Sequence, residues 1–174
     1  QILVLFAGSL VAIILAIGLV VDGGNALAQR RGAQNAADFG AMAGARVIAE
    51  WVGGDLANGT DRNVQDAITN AVVGNGGVAP VYLLADSPQY VNSNGAIVGA
   101  VGNGVIPSSA AGVTVGASRS WRPYFLGIVG VSNWTASANA TAKGGYCLDC
   151  APPPGTLFPV GIAQAYFTTY QSCS

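Results

Sequence analysis

The sequence predicts an α+β protein, with one long N-terminal helix packed on a small, mainly antiparallel β-sheet. Three observations carry that expectation. Ile2 to Val21 holds no charged residue and a single hydroxyl, Ser9. Asn25 to Trp51 contains no proline, and the first strong stop signal is Gly53-Gly54. Beyond it the apolar runs are short and bounded by Gly, Asn, Ser or Pro, which is the punctuation of strands.

The helix comes first. An apolar run of 20 residues is about 30 Å of helix at 1.5 Å per residue, enough to cross a bilayer. It has neither the basic leading segment nor the small-residue cleavage site of a secretory signal, so we expect a retained anchor. The helical pattern continues past Val21, so one rod from Ile2 to about Val52, roughly 75 Å long, is expected. The Gly23-Gly24 pair, just after Asp22, is the place where it would bend or unwind.

Small residues are ordered along the second half of the rod. Gly24, Ala28, Gly32, Ala36, Gly40 and Gly44 recur every four residues, and beside them run Ala33, Ala37, Ala41, Ala45 and Ala49. Four-residue spacing keeps each series on one helix face. The two together form a smooth stripe that a neighbouring backbone can approach, as small-xxx-small motifs allow in membranes. Glycine costs about 1 kcal/mol against alanine inside a helix, so a repeated series points to close packing that offsets the loss. Docking of the rod on its own sheet would account for one such series.

Composition narrows the function. Of 174 residues 51% are hydrophobic and 9% charged, against about 25% charged in an average soluble chain, so much of the surface faces something other than bulk water. With 7 basic and 8 acidic residues there is no basic face for a phosphate backbone, and no nucleic-acid partner is expected. There is no histidine, which removes the commonest general base and metal ligand. Lys143 is the only lysine available to a Ser-Lys dyad. We therefore expect no enzyme, no cofactor and no metal site. Asp55, Asp61 and Asp66 are too loosely spaced for a calcium loop. Gly99, Gly102 and Gly104 lack the lysine of a phosphate loop and read as turns.

After Gly53-Gly54 the pattern changes, dividing the chain into a helical stalk, 1–53, and a β-rich head, 54–174. Asp61 to Val73 has the apolar spacing of a short amphipathic helix. Strands are expected over Val78 to Ala85, Ala96 to Val101, Gly112 to Trp121 and Val131 to Lys143. In the last, Trp134, Ala136, Ala138, Ala140 and Ala142 share one face, and Asn133, Thr135, Ser137, Asn139 and Thr141 share the other. Arg122-Pro123 to Gly130 reads as a short helix or apolar turn between strands.

Cys147, Cys150 and Cys173 surround Pro152-Pro153-Pro154. In an exported chain a disulfide is the expected use; Cys150–Cys173 and Cys147–Cys173 are both open, and the third thiol would pair elsewhere or stay free. Cys147-Leu148-Asp149-Cys150 has no second pair and no histidine to complete a zinc site. Asn58, Asn133 and Asn139 begin Asn-x-Thr sequences, possible acceptors of glycan on an exposed surface.

The helix ending in Val20-Val21-Asp22, followed by Gln34-Asn35-Ala36-Ala37-Asp38 and Ala41-Met42-Ala43-Gly44-Ala45-Arg46, resembles the N-terminal segment of tight-adherence (TadE/TadG-like) pilus proteins, relatives of type IV pilins. Phe125-Leu126-Gly127-Ile128, then Val131-Ser132 and Ala136 to Ala142, is similar to a second segment of that family. The resemblance implies a pilin subunit, membrane-inserted before assembly, that polymerises with copies of itself into an extracellular filament. It implies a prepilin peptidase, the inner membrane and the assembly machinery as partners. The alternative is a membrane-anchored minor pilin or assembly protein. Gln1, Ile2, Leu5, Phe6, Gly8, Ala12, Ala16, Val20 and Asp22 would belong to the assembly helix, and Gly24, Ala28, Gly32, Ala36, Gly40 and Gly44 to a close-packing stripe.

Two departures stand out. Many type IV pilins carry Glu where this chain has Leu5, so the usual partner of a neighbour's N-terminal amine is missing, and Phe39 puts a ring on an otherwise smooth rod. If Gln1 is the mature N-terminus, its buried amine would need either cyclisation to pyroglutamate or Asp22 of a displaced neighbour as partner.

Overall fold

The computed structural model of the chain describes residues 1–82, 87–128 and 130–145. Helix α1 runs unbroken over Ile2–Val52. Gly53 caps it, donating its N–H to Ala49 O at 2.9 Å, and Gly54 follows at φ 92°, a left-handed conformation suited to glycine. The helix does not unwind at Gly23-Gly24, the place where a break would fall if there were one. A continuous backbone ladder on both sides carries the pair, and each glycine has open space where a side chain would stand.

Helix α2 spans Asp61–Gly74, one residue beyond expectation. Thr60 precedes it in an extended conformation and accepts the Asn63 N–H at 3.2 Å, satisfying one of the unpaired donors of the first turn.

Four strands follow: β1 Gln89–Val91, β2 Ile97–Ala100, β3 Gly112–Trp121 and β4 Trp134–Lys143. Their order across the sheet is β2-β1-β3-β4, every pairing antiparallel. β3 and β4 form a ten-residue ladder from Gly112↔Lys143 to Trp121↔Trp134. Val113, Val115 and Ala117 alternate inward on β3 opposite Ala142, Ala140 and Ala138 of β4, so the alanine face read from the sequence is the face turned to the helix. The opposite face carries hydroxyl pairs across the strands, Thr114 with Thr141 at 2.8 Å and Ser120 with Thr135 at 2.9 Å.

Residues 78–82 of the expected Val78–Ala85 strand lie in no strand, and 83–85 fall outside the described residues. Val78 makes one bond to Ser118 O, after which Tyr82 turns its hydroxyl to Gln65 O at 2.8 Å, so this apolar run covers α2 and does not extend the sheet. β1 takes its place, three residues long.

The core lies where α1 meets α2 and the sheet. Ala36, Ala37, Ala41 and Ile48 of α1 are buried with Val64, Ile68 and Val72 of α2, Tyr90 of β1, and Val113 and Val115 of β3. Glycine lets these layers approach. A Cβ on Gly40 would stand 2.6 Å from Val72 Cγ2, and one on Gly44 would stand 2.8 Å from Val113 Cγ1.

Candidate functional site: the unpartnered helix and its loop collar

Only the second half of α1 takes part in that core. In the first half Ile2 is 84% exposed, and Leu5, Phe6, Leu10, Ile13, Leu15, Ile17, Leu19 and Val20 are all exposed. Gln1, Gly8, Ala12 and Ala16 are exposed too. This is a stretch long and apolar enough to cross a membrane, and it stands almost uncovered among the described residues. Contiguous apolar surface of this extent marks an interaction site with lipid or protein.

Its C-terminal end is covered at one place. The β3–β4 connection, starting at Arg122, folds back over α1 so that a Cβ on Gly18 would stand 2.8 Å from Phe125 Cβ and Cγ. Directly above, the Asp22 carboxylate is fully buried and accepts three backbone N–H groups: Tyr124 at 2.8 Å on Oδ1, Phe125 at 3.0 Å and Leu126 at 2.7 Å on Oδ2. Burial alone would raise the Asp22 carboxyl. The amides of Leu126, Tyr124 and Phe125 outweigh it and hold the group below its ordinary value. The carboxylate thus stands in for the partners that the first amides of a helix-like turn need.

Asp22 is therefore not a spare charge. Read from the sequence as part of the assembly helix and as a possible counter-charge for a neighbour's amine, it has its acceptor oxygens engaged within its own chain, because the loop brings three unpaired donors to it. The sequence did contain a signal: a lone carboxylate closing a 20-residue apolar run must find partners or stay wet. Tyr124, Phe125 and Leu126, which supply them, lie in the Arg122–Gly130 stretch that the sequence marks as a short helix or apolar turn, with nothing in it to point to Asp22.

Among the residues of the small-residue stripe, Ala36, Gly40 and Gly44 are buried inside the head, and a Cβ on Gly32 would meet the Arg119 guanidinium. Ala33, Ala37, Ala41 and Ala45 of the second series are buried as well. Docking of the rod on its own domain therefore uses most of both series. Gly24 and Ala28 remain exposed, as does Phe39.

A second buried carboxylate holds the far end of the head. Asp61 accepts the Tyr90 hydroxyl at 2.6 Å, Gly102 N–H at 3.0 Å and Gly104 N–H at 2.9 Å. Gly102 and Gly104 sit at φ 100° and 84°, so the glycine-rich segment is a turn whose amides cradle the protein's own carboxylate. Burial, then the Asp61 hydrogen bond and charge, push the Tyr90 phenol up.

Among the described residues no group of three Cys, Asp or Glu side chains is placed to hold a metal. Asn58 donates its side-chain amide to Asp55 at 2.8 Å, and Asn133 and Asn139 are exposed. Cys147, Cys150 and Cys173 lie outside the described residues.

A small head carried on a long helix, with the outer half of that helix bare among the described residues, is the arrangement the structure shows. Residues 1–47 match the model of a family described as putative Flp pilus-assembly TadE/G-like, the family that the N-terminal segment resembles by its residues. The match covers most of α1 and reaches neither α2 nor the sheet. That family is one of pilus assembly and not of catalysis. Searches of curated proteins and of solved structures found no match to the chain.

Proposed function

We propose that this protein is a structural pilin subunit, inserted in the membrane before assembly, that polymerises with copies of itself into an extracellular pilus through its N-terminal helix. The bare apolar half of α1 carries the reading: among the described residues from Ile2 to Val21, Gly18 alone is buried. At about 25 cal/mol per Å² and roughly 100 Å² of apolar area per residue, covering that surface is worth tens of kcal/mol gross. Much of it is already realised by lipid before assembly. The low charge of the chain also supports the proposal, since a subunit surrounded by its own copies needs few charges for solubility.

A minor pilin or a membrane-anchored assembly component would keep the same helix and differ in abundance and place. Shearing cells, pelleting fibres and identifying the dominant band separates them. This chain as the main fibre band is the expected result; its confinement to the membrane fraction assigns it to the assembly apparatus.

A further inference from the structure

We infer that the Pro123–Ile128 loop is a membrane-interface collar, seating the head on the bilayer by inserting Tyr124, Phe125 and Ile128 among the lipid headgroups beside α1. The inference rests on one premise of the proposed function, that Ile2–Val21 spans a membrane before assembly. Three features of the loop point to a lipid surface as its occupant.

The first is its level. Phe125 meets the helix at Gly18 and its backbone meets Asp22, so the loop lies against the last turn of the 20-residue apolar run. If that run fills a hydrocarbon core of about 30 Å, the loop is placed at the boundary where aromatic side chains concentrate. The second is its surface. Tyr124 is 68% and Ile128 81% exposed, Phe125 is also exposed, and the preceding Arg122 is exposed without an ion pair among the described residues. Aromatic and aliphatic side chains beside a cation match an interface with apolar chains on one side and phosphate on the other.

The third feature is the backbone. Tyr124, Phe125 and Leu126 donate to Asp22, Ile128 to Phe125 O at 3.0 Å, and Val131 to Leu126 O at 3.0 Å, while Pro123 has no N–H. An irregular segment can leave water only if its donors are satisfied from within, and here the donors of the most exposed apolar residues are. A loop meant for bulk water has no such need. Asp22 thereby fixes how deep the head sits.

The test uses the full chain with Cys147→Ser, Cys150→Ser and Cys173→Ser, carrying one spin label at Ile13→Cys, Ile128→Cys or Asn70→Cys, in vesicles of phosphatidylcholine with one quarter phosphatidylglycerol. Collision with oxygen and with a water-soluble nickel chelate reports depth. The expected result is a label at 13 deep in hydrocarbon, one at 70 in water, and one at 128 within about 5–10 Å of the headgroup boundary. A label at 13 in hydrocarbon with 128 in water overturns the collar and leaves the spanning helix standing. A label at 13 in water overturns the premise and the collar together. Spin–spin broadening between copies at 128, without lipid contact, assigns the patch to a second copy and also overturns the collar. In the unaltered chain, Trp121 and Trp134 flank the loop, and lipids brominated near the headgroup should cause a loss of tryptophan emission; undiminished emission counts against the collar.

Discussion

The Asp22 carboxylate accepts the Leu126 N–H at 2.7 Å across 104 residues of sequence, tying the end of the apolar helix to the tip of the β3–β4 hairpin. Two neighbouring amides share the carboxylate, so one side chain orients the head on the stalk. Removing it should free the loop without unfolding the sheet. In Asp22→Ala, hydrogen exchange at Tyr124, Phe125 and Leu126 should speed up by about tenfold or more, the factor that accompanies loss of a charge-assisted bond. The β3–β4 ladder should keep its protection.

Acid should do the same reversibly. The folded Asp22 carboxyl lies below the ordinary aspartate value of about 3.9, so its contribution is present above that pH and is lost as pH falls through the lower folded value. Amide protection at 124–126 should therefore hold at pH 5 and above and decline below about pH 4. Asp22→Asn, which has no charge to lose, should show a weaker tie and no step in that range.

Glycines on α1 should respond to alanine according to what surrounds them. At Gly44 a Cβ would stand 2.8 Å from Val113 and 2.9 Å from Ile68, so Gly44→Ala should destabilise by about 1–3 kcal/mol through overpacking, despite the better helix propensity. Gly24 has nothing within 4 Å, so Gly24→Ala should stabilise the isolated chain by up to about 1 kcal/mol. Denaturant unfolding of the detergent-solubilised chain measures both. Equal effects at the two sites would contradict the packing described for the head.

Asp61 should behave as a structural anchor. Tyr90→Phe removes one bond to a carboxylate that keeps Gly102 and Gly104, and should cost about 1–2 kcal/mol. Asp61→Ala leaves the Tyr90 hydroxyl, the Gly102 and Gly104 amides and the Gln65 side-chain amide without their acceptor and should cost about 3 kcal/mol or more. A double-mutant cycle should show coupling between Asp61 and Tyr90, since they share the 2.6 Å bond.

The elements legible in the sequence are those whose cause is local. α1 followed from an apolar run, an uninterrupted 25–51 segment and a glycine stop, and β4 from strict alternation between alanine and hydroxyl residues. β1 has three residues, too few for any period, and exists because β3 offers Gln89–Val91 a ladder. Val78–Tyr82 has strand-like composition, yet tertiary contact with α2 decides its path. The small-residue stripe was legible as close packing, but whether its partner was the same chain or another was not. Gly40 and Gly44 face Val72 and Val113 of their own head, a fact that depends on how α2 and β3 wrap the rod. The Asp22 tie was illegible for the same reason: its partners lie a hundred residues away, and no periodicity links a helix end to a hairpin tip.

A pilin must bury the side chains of Ile2–Val21 against its own copies once it leaves the lipid. Electron cryomicroscopy of sheared fibres, resolved well enough to trace helices, measures this directly. The proposed function predicts a dry central bundle in which the 2–21 segment of each subunit contacts the same segment of its neighbours, with the β3–β4 sheets outside. Fibres built without this chain, or this chain found only as single copies with residues 2–21 surrounded by lipid, would contradict it.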